Sequence, residues 1–182
     1  MSQAVLISIR PKWCELIASG KKTIEVRKTA PKIEAPFKCY IYETRGFERV
    51  GNENLNCVVG GNGRGAVIGE FVCDSIFPLS FYASDASFFD MEPPLPVPGT
   101  CLTDKEIAEY LGNGKTGYGW HISNLIIYNM PKQLRELKSA RTKHVTEKAF
   151  FQEGVCDEIR HVRVLEPLSR PPQSWCYVEA LS

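Results

Sequence analysis

The stretch Val5-Leu-Ile-Ser-Ile-Arg-Pro-Lys-Trp13, continued by Gly20-Lys-Lys-Thr-Ile-Glu-Val-Arg27, decides the fold. Its first residues alternate, so Val5, Ile7 and Ile9 share one face of a strand and Ser8 and Arg10 the other. Pro11 suits the first position of a helix, where its missing N–H costs nothing. Trp13, Leu16 and Ile17 follow at helical spacing, and Gly20 supplies a left-handed stop. Thr23 to Arg27 then returns to period two, with Ile24 and Val26 on one face and Thr23, Glu25 and Arg27 on the other. The spacing thus predicts strand, helix, strand, and a polar pocket floored by Glu25 and Arg27 beside Ser8 and Arg10.

Outward from this unit, Lys38 to Glu43 and Ala66 to Cys73 read as strands, the second long and central, with Thr44 to Gly65 as a loop between them. Within it, Gly60-Gly-Asn-Gly-Arg-Gly65 leads to a strand and not to Gly-Lys-Ser/Thr and a helix, so a hairpin-type loop is expected rather than a phosphate cradle. Phe81 to Gly99, with four prolines, reads as an insertion. Thr103-Asp-Lys-Glu106 is a capping box that predicts a helix from Asp104 to Leu111, ended by Gly112, with a turn at Lys115 to Gly119. Tyr118 to Tyr128 reads as a strand paired with the central one and ending at Asn129 to Pro131. Ala140 to Glu153 has helical composition, His161 to Leu165 reads as a short strand or extended loop, and Ser174 to Glu179 as the last strand. This order points to an α+β fold, a small mixed β-barrel with peripheral short helices, and not to regular βαβ alternation.

Bulk properties exclude several classes. The chain has 182 residues, and 43% hydrophobic with 24% charged is globular composition. No segment approaches the roughly 20 apolar residues of a membrane span. The short apolar run Val5 to Ile9 meets Arg10-Pro11 directly, unlike a cleavable signal, so a cytoplasmic protein that does not engage membranes is expected. Seven cysteines without a C-x-x-C pair suggest reduced, mostly buried thiols; no metal centre and no cofactor are expected. Net charge is +1, yet Arg10, Lys12, Lys21, Lys22, Arg27, Lys28, Lys32 and Lys38 face only Glu15, Glu25 and Glu34 in their segment. Lys132 to Lys148 is a second basic stretch, of the kind that commonly forms a solvated helix face.

Together with the closing Pro172-Gln-Ser-Trp-Cys-Tyr-Val178, the opening stretch resembles ASCH-domain proteins of the PUA-like superfamily, their phage and prophage members in particular. The resemblance covers roughly 3–43, 65–79, 117–134 and 170–180, which makes 1–182 one domain with insertions at about 80–116 and 137–168. It implies a PUA-like barrel with a cleft, between the Gly-Lys turn and the barrel, that takes RNA or a modified nucleobase. In such a cleft Arg10, Lys12 and Lys22 would meet phosphate, and Arg27 would clamp a phosphate or base edge. Glu25 would accept from an exocyclic amine, with Thr23 beside it on the polar stripe and Ser174 at the border. Trp13, Tyr118 or Trp120 would stack on a base, although Trp13 at its helical spacing also fits a core and Trp120 fits either role.

Some ASCH-type proteins are amidohydrolases of acylated cytidine. Lys22 matches their catalytic lysine, but Glu25 stands where they carry a catalytic threonine, so Lys22 and Glu25 are the catalytic candidates only if the chain is an enzyme. A ribonuclease using His121 as base is the other enzymatic option, set against a purely structural histidine. A phage or host protein-interaction surface around Phe81 to Met91 is a third reading.

Overall fold

The computed structural model describes residues 3–50, 57–80, 96–151 and 154–181, and side chains within these except at 47–60, 96 and 141–163. In chain order the elements are β1 (Gln3–Ile9), α1 (Pro11–Ala18), β2 (Ile24–Arg27), β3 (Phe37–Glu43), β4 (Phe47–Val50), β5 (Cys57–Gly60) and β6 (Ala66–Ser80). They continue with β7 (Pro96–Val97), β8 (Leu102–Thr103), α2 (Asp104–Leu111), β9 (Thr116–Lys132), a 3-10 turn (Leu134–Glu136), β10 (Lys138–Phe151), β11 (Gly154–Pro167) and β12 (Trp175–Glu179). The fold is α+β.

A six-stranded sheet in the order β12-β1-β3-β6-β9-β2 carries the structure, with β1 and β3 parallel and the other pairs antiparallel. β1 lies inside this sheet and is buried on both faces, as strands covered on two sides are. Val5, Ile7 and Ile9 join Cys14 and Ile17 of α1, Phe71, Cys73 and Trp120 in the larger core. On the opposite face Ala4 and Leu6 pack with Tyr40, Val67, Leu137 and Leu168.

The expected barrel does not close: β12 and β2 are free edges. β2 has only four residues, and Pro31 and Pro36 in the chain that follows lack the amide donors a ladder needs. Side chains span the seam instead. Trp175 Nε1 donates to Thr29 Oγ1 at 3.1 Å, the Lys32 amide donates to the Tyr177 hydroxyl at 2.6 Å, and Arg27 Nη2 reaches Ser8 O at 2.6 Å. The sheet curls towards this seam through bulges in β6 and β9; at one, Val72↔Ser123 gives way to Glu70↔Ile126, beside Asn124 at φ +47°.

Several sequence expectations need correction. The helix expected over Ala140 to Glu153 is not found: its described residues, Ala140 to Phe151, belong to β10, which pairs residue by residue with β11, from Lys138↔Pro167 to Phe151↔Gly154. The two strands carry Thr142, Val145, Thr146, Val155, Ile159 and Val162 in sequence, a β-branched content that a cross-strand partner rewards more than a helix does. The basic stretch therefore runs onto a strand. His161 to Leu165 is part of the partner, the 14-residue strand β11. Lys115 to Gly119 is not a turn; the reversal is tighter, with the Lys115 amide on Gly112 O, and β9 starts at Thr116 and continues to Lys132. Thr44 to Gly65 contains the hairpin arms β4 and β5. The helix of the capping box is found as read, with Thr103 Oγ1 accepting from the Glu106 amide and the Glu106 carboxylate accepting from the Thr103 amide. Phe81 to Met91 lies outside the described residues.

Glu70 ties three strands together. Lys38 Nζ of β3 donates to its Oε1 at 2.8 Å, and the Tyr128 hydroxyl of β9 donates to its Oε2. Burial raises the Glu70 pKa, but these two hydrogen bonds outweigh it and hold the carboxyl below its ordinary value of 4.5. A carboxylate so depressed adds stability above the unfolded value and loses it as pH falls through the folded one. Glu70→Gln is expected to cost on the order of 1 kcal/mol at neutral pH, since the pair is partly exposed, and to flatten the acid limb below pH 4.5. Urea midpoints measured from neutral to acid pH check this; an acid limb identical in the two proteins would remove Glu70 from it.

Candidate functional site

Gly20, at φ +73°, ends α1 with its amide on Ile17 O, and the Lys22 amide bonds Leu16 O at 3.0 Å. This turn carries the chain back over the helix end and drives Lys22 inward, where it is 2% exposed. Along β2, Glu25 and Arg27 share one face at period two, while Val26 on the other packs against Ile107 and Leu111 of α2. The polar stripe is buried: Glu25 is 7% and Arg27 6% exposed.

The three side chains form one charged cluster. Glu25 Oε2 lies 3.4 Å from Lys22 Nζ, and Glu25 Oε1 lies 3.0 Å from Arg27 Nη2. Lys22 Nζ also donates to Ile24 O at 2.8 Å and Thr100 O at 2.7 Å. Arg27 Nη1 reaches Ser174 Oγ at 3.4 Å, and its Nε–H has no partner among the described residues. Burial lowers the Lys22 pKa, and the Glu25 charge and hydrogen bond oppose it. Two cations thus share one carboxylate, and the cluster carries an unbalanced positive charge away from water.

The cluster floors a cleft of about 610 Å³. Arg10 and Trp13 wall one side, Tyr110 of α2 and Leu102 another, and Pro171, Pro172 and Gln173 a third. Lys12 and Lys22 lie 4.7 Å and 5.3 Å from the Trp13 ring centroid, within cation–π range. Gly99 and Thr100 fix the floor of the cleft from beneath, because Thr100 O holds Lys22 and Gly99 O takes the amides of Thr23 and Ile24.

Of the residues singled out in the sequence, Arg10, Trp13, Lys22, Glu25 and Arg27 meet in this cleft, Lys12 stands at its mouth and Ser174 lies behind Arg27. Thr23, Tyr118, Trp120 and His121 do not line it. Thr23 is tied to Gly99. Tyr118 packs on the larger core, and Trp120, wholly buried, sits between Phe37 at 6.0 Å and Trp175 at 5.9 Å. His121 turns to the surface, its Nδ1 2.6 Å from Asp74 Oδ1. The reason is common to the last three: β9 lies between β2 and β6, so its side chains point into the core or out to solvent and not over the β2 edge. Tyr110 and Thr100 were missed. The capping box places α2 but says nothing of which face Tyr110 takes, and a backbone carbonyl leaves no sequence signal.

The cysteines described, Cys14, Cys39, Cys73, Cys101 and Cys176, are all free thiols. Burial pushes Cys14 and Cys39 up and Cys73 up to about 12, which leaves these thiols protonated and poor nucleophiles. Among the described residues no group of three or more His, Cys, Asp and Glu is placed to hold a metal ion, and no helix is long and apolar enough to cross a membrane.

No curated protein matches the chain. Among solved structures it is similar to ASCH from Zymomonas mobilis, with 18% identity over 72% of this chain and 73% of that one and a TM-score of 0.46. Two single-residue variants of that protein give 17% identity, 72% and 76% coverage and a TM-score of 0.46, and 14% identity, 97% and 88% coverage and a TM-score of 0.50. The last of these supports the fold and nothing finer. The ASCH domain family model matches residues 7–113, singling out no phage or prophage branch. That match contains the end of β1, all of α1 and β2 and the whole Lys22–Glu25–Arg27 cluster and spans more than half of the chain, which therefore belongs to the ASCH domain family.

Proposed function

We propose that the chain binds RNA, or a modified base within it, in the cleft above Lys22, Glu25 and Arg27. One observation carries the reading: a buried cluster with one positive charge in excess, at the floor of a cleft whose rim adds Arg10 and Lys12. A polar anion such as a phosphodiester offsets that charge, and a base edge offers acceptors to the unpaired Arg27 Nε–H. Trp13 and Tyr110 supply aromatic walls for a base. ASCH domains are in general RNA-binding modules, which agrees with this chemistry. The chain is a single domain in this reading, since Thr100 completes the cluster and Leu137 and Leu168 complete the second core.

The hydrolytic alternatives draw less support. Lys22 Nζ faces three acceptors, Ile24 O, Thr100 O and Glu25, so it is held as an ammonium without a lone pair to attack or accept. Glu25 is braced between two cations, and His121 is outside the cleft.

Fluorescence titration of a labelled single-stranded RNA tests the binding reading. Affinity should fall steeply with salt, and Arg10→Ala, at an exposed rim position, should weaken it about tenfold, the loss of one charge-assisted contact. Absence of binding at low ionic strength would overturn the proposal.

A further inference from the structure

The cleft does not end at Trp13. Past Arg10 and Trp13 it opens into a second compartment of about 1040 Å³, lined by Lys12, Tyr42, Arg45, Gly61, Asn62 and Ser169. Arg10, Trp13, Thr44 and Pro171 line both compartments and form their common boundary.

The far wall of the outer compartment is built by the glycine-rich run Gly60–Gly65. The Gly61 amide donates to Gly46 O at 3.2 Å and the Gly63 amide to Arg45 O at 3.0 Å, extending the β4–β5 pairing towards the sheet. The two arms approach so closely that a Cβ on Gly61 would lie 2.4 Å from Arg45 O, and one on Gly63 would lie 1.8 Å from Thr44 O. Only glycine fits there. A Cβ on Gly65 would meet Arg45 Nε at 2.8 Å, so the same run seats the Arg45 side chain, which is exposed at the compartment's edge. The glycines thus serve the groove by shaping a wall rather than by cradling a phosphate.

Charge and size together define what such a groove fits. Arg10, Lys12 and Arg45 face only Glu15 in the outer compartment, so the positive potential of the inner cleft continues along it. Each compartment is as large as a site that takes a whole small ligand, roughly 300–1,000 Å³. A single nucleoside seated over Lys22, Glu25 and Arg27 would leave the outer cations without a counterpart. A repeating anion would not. We infer that the ligand is a single-stranded RNA segment of at least two nucleotides, with one base in the inner compartment, its phosphodiester at the boundary by Arg10 and Lys12, and the adjoining nucleotide along Arg45. A positively charged track with aromatic contacts is the usual way a single strand is held.

This inference rests on the RNA-binding reading and narrows it to a single strand that runs through both compartments. The experiment compares, by isothermal titration at several salt concentrations starting from a low one, the four nucleoside 5′-monophosphates with single-stranded RNA tetranucleotides, for the protein and its Arg45→Ala and Arg45→Glu variants. Tetranucleotides should bind at least about tenfold more tightly than monophosphates. Arg45→Ala should cut that ratio about threefold or more and lower the salt slope by about one, and Arg45→Glu should cut the ratio further. Monophosphates that bind as well as tetranucleotides would overturn the inference while leaving the RNA-binding reading in place. So would a ratio unchanged in both variants. No binding of either kind would remove the reading and the inference together.

Discussion

Glu25→Ala is expected to destabilise the protein by about 3–5 kcal/mol at neutral pH, because it leaves Lys22 and Arg27 buried together without a counter-ion. The two cations approach Glu25 at 3.4 Å and 3.0 Å, and neither has another carboxylate at ion-pair distance among the described residues. The loss exceeds that of a surface ion pair, typically ~0–1 kcal/mol, since water cannot take over the interaction. The pH dependence gives a second signature. Burial already lowers the Lys22 pKa, and Glu25 opposes the shift; without Glu25 it falls further. A lysine whose folded pKa lies below its unfolded one costs stability while protonated, and the cost is relieved as pH rises from the folded towards the unfolded value. The penalty of Glu25→Ala should therefore shrink in alkaline solution. Urea denaturation at neutral and alkaline pH measures both effects. A neutral-pH change below about 1 kcal/mol would mean that the cluster is hydrated and the cation excess is not confined to the cleft.

Such a cluster is half legible in the sequence. Pro11, the helical spacing of Trp13, Leu16 and Ile17, and Gly20 are local signals, and α1 ends where they say it does. The period-two face of Glu25 and Arg27 is equally local. Its burial is not, since a solvated strand face carries the same pattern. What buries it arrives from far along the chain: Thr100 O, 78 residues from Lys22, and Ser174, 147 residues from Arg27. The failures share that origin. Composition alone favours a helix at Ala140 to Glu153, and only the partner strand Gly154–Pro167 makes Ala140 to Phe151 a strand. Closure of the sheet depends on whether β2 and β12 can exchange main-chain bonds, and β2 ends at Arg27, ahead of Pro31 and Pro36, which lack the donors to extend it, in a segment that periodicity does not read. The glycine run Gly60–Gly65 reads as a hairpin-type loop, yet its use as a wall depends on the register of Gly61 with Gly46.

Trp120 separates packing from recognition in one residue. The sequence allows it equally as core or as a base platform, and the structure buries it wholly, against Phe37 edge-on at 6.0 Å and Trp175 at 5.9 Å. Trp120→Ala is therefore expected to cost about 3–5 kcal/mol, from lost transfer energy and the cavity left between β3, β9 and β12. Its Nε1–H is buried without a partner among the described residues, so Trp120→Phe removes an unsatisfied donor along with part of the ring. That substitution should cost clearly less than alanine. RNA affinity of the folded fraction should change little in either variant, because Trp120 lines neither compartment of the cleft. A base platform predicts the reverse: stability within about 1 kcal/mol of the parent, and RNA binding lost. Denaturation and RNA titration on the same two variants distinguish these outcomes. If the second is found, Trp120 is displaced from the core, and Phe37 and Trp175, whose packing depends on it, lose the neighbour that orients the seam between β2 and β12.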